Sequence, residues 1–402
     1  MTARWLRIQL WFLVVVLCCF GLVMITSTTA MGTNVIAVGN ESGITYAFLI
    51  KQAIAMAVGA VIAMVIGGMG AERLRQGWVV ALVVVGALGS LCLVHVLGRE
   101  INGAKRWIDL GPINLQPAEL AKFALVIAAA WHLSRVAERV RSSWYGVVVP
   151  LFGFALIAGL VYLTKDLGSV VVMGVVLAAM IIFAGAPWWY LAIVSVLSTP
   201  ALFYYTIFQV SYRRDRMLAF LDPWNADGPA GYHLRQSFIA IGSGGLFGVG
   251  LGQSTAKMSF LPEKHTDFIF AVVCEELGLV GALGVAALFL LLVYTGLLIA
   301  AQAKDRHLRL LAIGSTVVLG TQAFWNMMVV VGAVPTKGLT LPFISYGGSS
   351  VVVCLALIGV LDAVAQANVR ATTRPSNSRI GAAVRADSDK AWRWQTEAGG
   401  AT

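Results

Sequence analysis

Ten long apolar segments joined by mostly short polar connections restrict this chain more than any other feature of its sequence. They cover approximately residues 8–29, 46–69, 78–97, 117–133, 144–163, 167–186, 188–208, 268–300, 310–331 and 346–364. A helix of about 20 apolar residues crosses the hydrocarbon core of a bilayer, where only helices or closed barrels satisfy their own backbone. The composition agrees: 59% of residues are hydrophobic and 12% charged, whereas soluble domains carry about 25% charged residues. A soluble enzyme and a disordered chain are excluded. So is a nucleic-acid partner, because the net charge of +10 comes from residues between the apolar runs. The sequence predicts an all-α polytopic integral membrane protein of about ten transmembrane helices, with a long outer loop, 209–267, between helices 7 and 8.

The first segment follows Arg4 and Arg7 and mimics a secretory leader, but it is longer than the 7–15 apolar residues usual there. It is read as a retained helix. An even number of spans puts both termini on one side, and the positive-inside rule selects that side. Arg73 and Arg75, then Arg135, Arg139 and Arg141, then Lys304, Arg306 and Arg309 share it with Arg4 and Arg7, while loop 31–45 opposite has no Lys or Arg. Both termini are therefore read as cytoplasmic. A transmembrane domain is expected at 1–364 and a basic, disordered cytoplasmic tail at 365–402. The five cysteines, all in apolar runs and without metal-ligand spacing, read as small buried hydrophobes.

Two outer loops run against the charge bias. Loop 98–116 carries Arg99, Lys105 and Arg106, and loop 209–267 carries Arg213, Arg214, Arg216, Arg235, Lys257 and Lys264. Cations kept on that face suit an anionic ligand such as a lipid phosphate or diphosphate. Ordinary snorkelling to lipid headgroups is the alternative. The polar, turn-rich stretches 98–122, 165–169, 211–267 and 335–350 also lie on that face. A transporter usually needs polar groups reached from both faces, so the asymmetry suits an enzyme working at one face.

Within these stretches, Asn102-Gly103 is a hairpin signal, and Pro117 with Glu119 suits the first turn of a helix. Glu119 and Lys122 share a helix face and form either a structural ion pair or one wall of a site. Asp166 is either a helix cap or a holder of a metal or substrate hydroxyl. The glycine run 242–252 either cradles phosphate through backbone N–H groups or packs as a re-entrant element. Asp267 stands at the rim of the eighth span, where partial desolvation suits a general base, with His265 the second candidate and a capping role the alternative. Glu275 and Glu276 lie too deep for the rim and read as buried structural partners or protonated carboxyls. The stretch Pro335–Ser350, with Ser345 and Ser349, reads as an irregular loop lining a cavity.

Together these stretches resemble the SEDS (shape, elongation, division and sporulation) family from the first span to the tenth. The specific pieces are 103–108 (Gly-Ala-Lys-Arg-Trp-Ile), 116–122 (Gln-Pro-Ala-Glu-Leu-Ala-Lys), 242–245, 261–270 with Glu275-Glu-Leu-Gly278, and 337–350. Residues 248–254 and 337–350 are more similar to the division branch than to the elongation branch. The resemblance implies a peptidoglycan glycosyltransferase of the bacterial cytoplasmic (inner) membrane, polymerising lipid II at the outer face and working at the division septum. It places the catalytic carboxylate on Asp267 and cavity roles on Arg106, Glu119 and Lys122; Lys264, His265, Ser345 and Ser349 are further candidates for binding substrate, with Asp166 an accessory candidate. A divalent cation, Mg or Mn, is an expected cofactor, with Asp267 and Glu119 as candidate ligands. The implied partners are lipid II, a class B penicillin-binding transpeptidase, other divisome membrane proteins and membrane lipids. One departure is Thr164-Lys165, where the family commonly has Gln-Pro or Glu-Pro before the aspartate. The competing functions are an elongation-type polymerase, a lipid II flippase, and a scaffold recruiting the transpeptidase.

Overall fold

The computed structural model describes residues 2–30, 42–101, 104–109, 111, 114–203, 211–226, 228–255 and 265–373. The elements, in chain order, are α1 (Ala3–Ala30), α2 (Ser42–Met69), α3 (Gly77–Leu97), β1 (Arg99–Ile101), β2 (Ala104–Asp109), β3 (Asn114–Leu115), α4 (Pro117–Arg135), α5 (Ala137–Ser142), α6 (Tyr145–Leu163), α7 (Leu167–Phe183), α8 (Trp188–Phe203), α9 (Ser211–Leu221), α10 (Pro229–Gly244), α11 (Ile269–Gln302), α12 (Arg306–Val330) and α13 (Gly348–Thr373). Each of the ten apolar segments contains one helix. Seven of these, α1, α2, α3, α6, α11, α12 and α13, are long and apolar enough to cross a membrane. The other three are shorter or more polar: α7 has 17 residues, α4 carries Glu119 and Lys122, and α8 has 16. The protein is a multi-pass membrane protein.

Large apolar side chains occupy both faces of these helices, as a bilayer requires. On α1, Leu6, Leu10, Leu13 and Leu17 are buried, while Trp5, Ile8, Phe12 and Val15 are exposed on the opposite side. The inner helix is α13, buried over most of its length and packed most extensively on α2. Small residues permit that approach: a Cβ on Gly359 would lie 2.6 Å from the Ala63 carbonyl oxygen. The last helix also runs beyond 364, with Ala365 buried and Asn368 Nδ2 donating to the Ile299 carbonyl at 2.9 Å. The bundle therefore extends into what sequence reasoning assigned to the tail, because the helix keeps an inward face there. Residues 374–402 lie outside the described residues.

Side-chain contacts sort the connections onto two ends of the bundle. At one end, Arg7 pairs with Asp362 (2.6 Å), Arg75 pairs with Asp305 (3.2 Å), and Arg306 donates to the Ala184 carbonyl. At the other end, β1, β2 and β3 form an antiparallel sheet. The tip of the expected hairpin, Asn102-Gly103, lies outside the described residues. This sheet, the α6–α7 turn, α9, the approach to α11 and segment 331–347 meet at that end.

The long helix α11 is broken at Gly278, whose φ of 65° and ψ of −165° are non-helical. The glycine run enters the break. Val249 N donates to Glu275 O and Gly250 N to Glu276 O, both at 3.0 Å, while Leu279 N and Val280 N donate to Gly245 O and Leu246 O at 3.0 and 3.2 Å. Backbone groups freed by the break are thus satisfied by another segment, as they must be at membrane depth. Of the two readings of the run, re-entrant packing is the one seen. Glu275 accepts from Thr255 N and Oγ1 at 2.8 Å and from Ser254 Oγ, and Glu276 accepts from Ser27 Oγ at 2.7 Å. Both are buried structural partners.

Candidate functional site

Asp267 lies two positions before α11 and is partly buried. Its carboxylate rests on the backbone of Gly338, where a Cβ would come within 3.0 Å of Asp267 Oδ2. Residues 337–339 form a tight turn closed by Leu339 N donating to Lys337 O at 2.9 Å. Lys337 therefore leaves the chain immediately beside the glycine that touches Asp267. Its ammonium sits over the Trp325 ring at 5.0 Å. Burial holds this lysine below its ordinary pKa; Arg213 and Arg216 push the same way, and Asp166 opposes them.

More cations surround this turn. Arg216 Nη1 donates to Thr336 O at 3.1 Å. Arg213 donates to the Tyr162 hydroxyl at 3.2 Å and lies over that ring. From β2, Arg106 Nε and Nη2 donate to Thr164 O (3.2 Å) and Lys165 O (2.7 Å), holding the α6–α7 turn in which Lys165 has a φ of 63°. Asp166 is buried and caps α7, accepting from Ser169 N at 3.1 Å, Ser169 Oγ at 2.8 Å and Gln116 Nε2 at 3.2 Å. The cap reading is thus the one its hydrogen bonds support, and the departing residue Lys165 is exposed beside it.

A second network lies on α4. Lys122 is fully buried and donates to Glu119 Oε1 (2.7 Å) and Gln322 Oε1 (2.9 Å). Gln322 Nε2 in turn donates to Thr340 O (3.2 Å) and Ser350 Oγ (3.0 Å). Segment 337–340 thus runs from Asp267 to the amide that holds Lys122.

The two expected serines bond backbone. Ser345 Oγ accepts from Leu341 N (2.8 Å) and donates to Thr266 O (2.6 Å). Ser349 Oγ accepts from Gln116 N (3.0 Å) and donates to Asn114 O. His265 packs its ring against Phe48 and Tyr346, with centroids 5.3 and 5.9 Å apart. Lys264 lies outside the described residues. No group of three His, Cys, Asp or Glu side chains that could hold a metal occurs among the described residues. Of the two expected metal ligands, Asp267 lies against Gly338 and Glu119 is paired with Lys122.

An apolar cavity of about 600 Å³ opens between α11, α12 and the end of α10, lined by Phe270, Cys274, Phe289, Phe324 and Met327 among others. Its lining supplies no acid, base or cation.

The family described as "Cell cycle protein", comprising FtsW, RodA and SpoVE, matches residues 8–370. This chain belongs to the FtsW/RodA/SpoVE family. It is 42% identical over 350 residues to a protein of Geobacter metallireducens named "Probable peptidoglycan glycosyltransferase FtsW", covering 86% of this chain and 91% of that one. A protein of Pseudomonas fluorescens with the same name is 41% identical, covering 85% and 83%. The fold is similar to a chain from a structure described as "Structural coordination of polymerization and crosslinking by a peptidoglycan synthase complex", with a TM-score of 0.71, 29% identity, and 89% and 97% coverage. RodA of Thermus thermophilus is similar at a TM-score of 0.63, 29% identity, and 89% and 95% coverage. The resemblance drawn from the motifs is borne out.

Several residues of this family member's site went unassigned in the sequence. Gln322 and Asn326 are polar side chains one turn apart inside an apolar helix, itself a signal of function. Lys337, Arg213 and Arg216 were visible as charges without positions. What joins them is segment 336–340, and its path is a property of the fold.

Proposed function

We propose that this chain is a peptidoglycan glycosyltransferase that polymerises lipid II into β-1,4 glycan strands, working in septal cell-wall synthesis. The observation that carries the mechanism is the placement of the Asp267 carboxylate on the Lys337–Leu339 turn, with Arg106, Arg213, Arg216 and Lys337 gathered at the same end of the bundle. Asp267 takes the proton of the acceptor 4-hydroxyl as that oxygen attacks the donor's anomeric carbon. The bond from that carbon to the diphosphate breaks on the opposite face, so an α-linked donor gives a β product. Undecaprenyl diphosphate leaves, and its developing charge is met by preorganised cations. Lys337 suits that task, since a desolvated ammonium gains most from an arriving anion.

The basic helix ends at the opposite end of the bundle support the reading that both termini are cytoplasmic and that Asp267 faces outward from the bacterial inner membrane. A class B transpeptidase is the proposed partner, crosslinking the strands this chain makes.

The test is polymerisation of labelled lipid II by the purified protein with its partner, comparing wild type with Asp267→Asn. Loss of the base should cost about 10²–10⁴-fold in rate with lipid II binding retained. Equal product from both proteins would move the base elsewhere. Absence of product from wild type, with binding intact, would bring the flippase and scaffold readings forward.

A further inference from the structure

We propose that Asn326 of α12 is a positioning residue that sets Asp267 against the Lys337–Leu339 turn; the proposal rests on reading Asp267 as the base. The Asn326 amide donates to two carbonyls from distant segments: Asp267 O at 2.8 Å and Leu339 O at 2.6 Å. Its two N–H groups point in fixed directions within one plane, so both carbonyls are held relative to each other. Leu339 closes the turn whose first residue is Lys337 and whose centre, Gly338, carries the Asp267 contact. One side chain therefore ties the backbone of Asp267 to the turn that carries Lys337 and Gly338.

Two further observations support the assignment. Asn326 is 1% exposed, and its Oδ1 has no hydrogen-bond partner among the described residues. A stranded buried acceptor carries a free-energy cost that an apolar residue of similar size avoids. A purely packing role would favour leucine, whereas a need for two donors accounts for the amide. The orientation is also determined, since the flipped amide would set Oδ1 against two other oxygens. Gln322, one turn away, donates to Thr340 O and accepts from Lys122 Nζ, so α12 holds the adjacent carbonyls of Leu339 and Thr340.

The experiment measures kcat and KM for lipid II with Asn326→Leu, Asn326→Ser, Asp267→Asn and the Asp267→Asn/Asn326→Leu double variant, each with the transpeptidase partner and with thermal stability recorded. Misplacing a base by about 1 Å costs on the order of a hundredfold. Asn326→Leu is expected to lose about that in kcat while KM stays within about twofold, with thermal stability lowered because two carbonyls lose their donor. Asn326→Ser, which keeps one donor, should fall between the two, and it carries the same test if the leucine variant does not fold. The double variant should be no slower than Asp267→Asn, because the amide acts through that carboxylate. Wild-type kcat in Asn326→Leu beside an inactive Asp267→Asn would overturn the positioning role and leave the base assignment standing. An active Asp267→Asn would overturn both, and a further loss in the double variant would show that Asn326 acts elsewhere.

Discussion

Gly278→Ala is the substitution whose cost the structure specifies most completely. At φ 65° and ψ −165° the residue occupies a region that is essentially glycine-only. An added Cβ would stand 2.3 Å from Gly248 N and 2.6 Å from Leu246 C and O. These contacts are backbone atoms of the re-entrant glycine run, so no side chain can turn aside. Relief requires the run to move away, and the run makes four hydrogen bonds into the broken helix at 3.0–3.2 Å. At about 1 kcal/mol each, with about 1–3 kcal/mol for the backbone conformation, the loss is about 5–7 kcal/mol. Gly284 on the same helix is the internal control, since its Cβ would meet nothing within 4 Å. There, alanine should stabilise by about 0.4–1 kcal/mol. Thermal inactivation in one detergent should therefore separate the two by about 11–16 °C, at roughly 2 °C per kcal/mol for a large chain. A Gly278→Ala protein as stable as Gly284→Ala would refute the account of how the break in α11 is sustained.

Lys122→Met should destabilise by about 3–5 kcal/mol, because it leaves the Glu119 carboxylate buried without its cation. Glu119→Gln/Lys122→Met should recover most of that stability without recovering activity, and thermal denaturation alongside lipid II polymerisation would separate the two roles. Lys337 gives a pH signature: its folded pKa is below the ordinary 10.5, so between those two values the unfolded chain binds the extra proton. Stability should rise with pH through that window, and Lys337→Met should flatten the slope. A slope unchanged in Lys337→Met would place its origin in other groups.

The legible part of this protein is what periodicity, length and charge can encode locally. Every apolar segment contains its helix because a bilayer leaves an apolar run no other backbone solution. Pro117 and Glu119 mark the start of α4 because the chemistry of a helix terminus lies within one turn. Glu119 and Lys122 pair because i and i+3 share a face. Asp267 was legible as a base candidate because a carboxylate at the rim of a span is informative by itself. The sequence was also sufficient for the family, whose motifs are contiguous strings.

What depends on distance in space was not legible. The backbone bonds that Ser345 and Ser349 make to other segments could not be read from their motif. The glycine run had two readings until the position of Gly278 beside it selected one. Asn326 and Lys337 became part of the site only when α12 and segment 336–340 were seen to cross in front of Asp267. Local rules count residues along one helix or turn. A hydrogen bond across 59 positions, such as that from Asn326 to Asp267, depends on how the helices pack, and only the tertiary structure decides that.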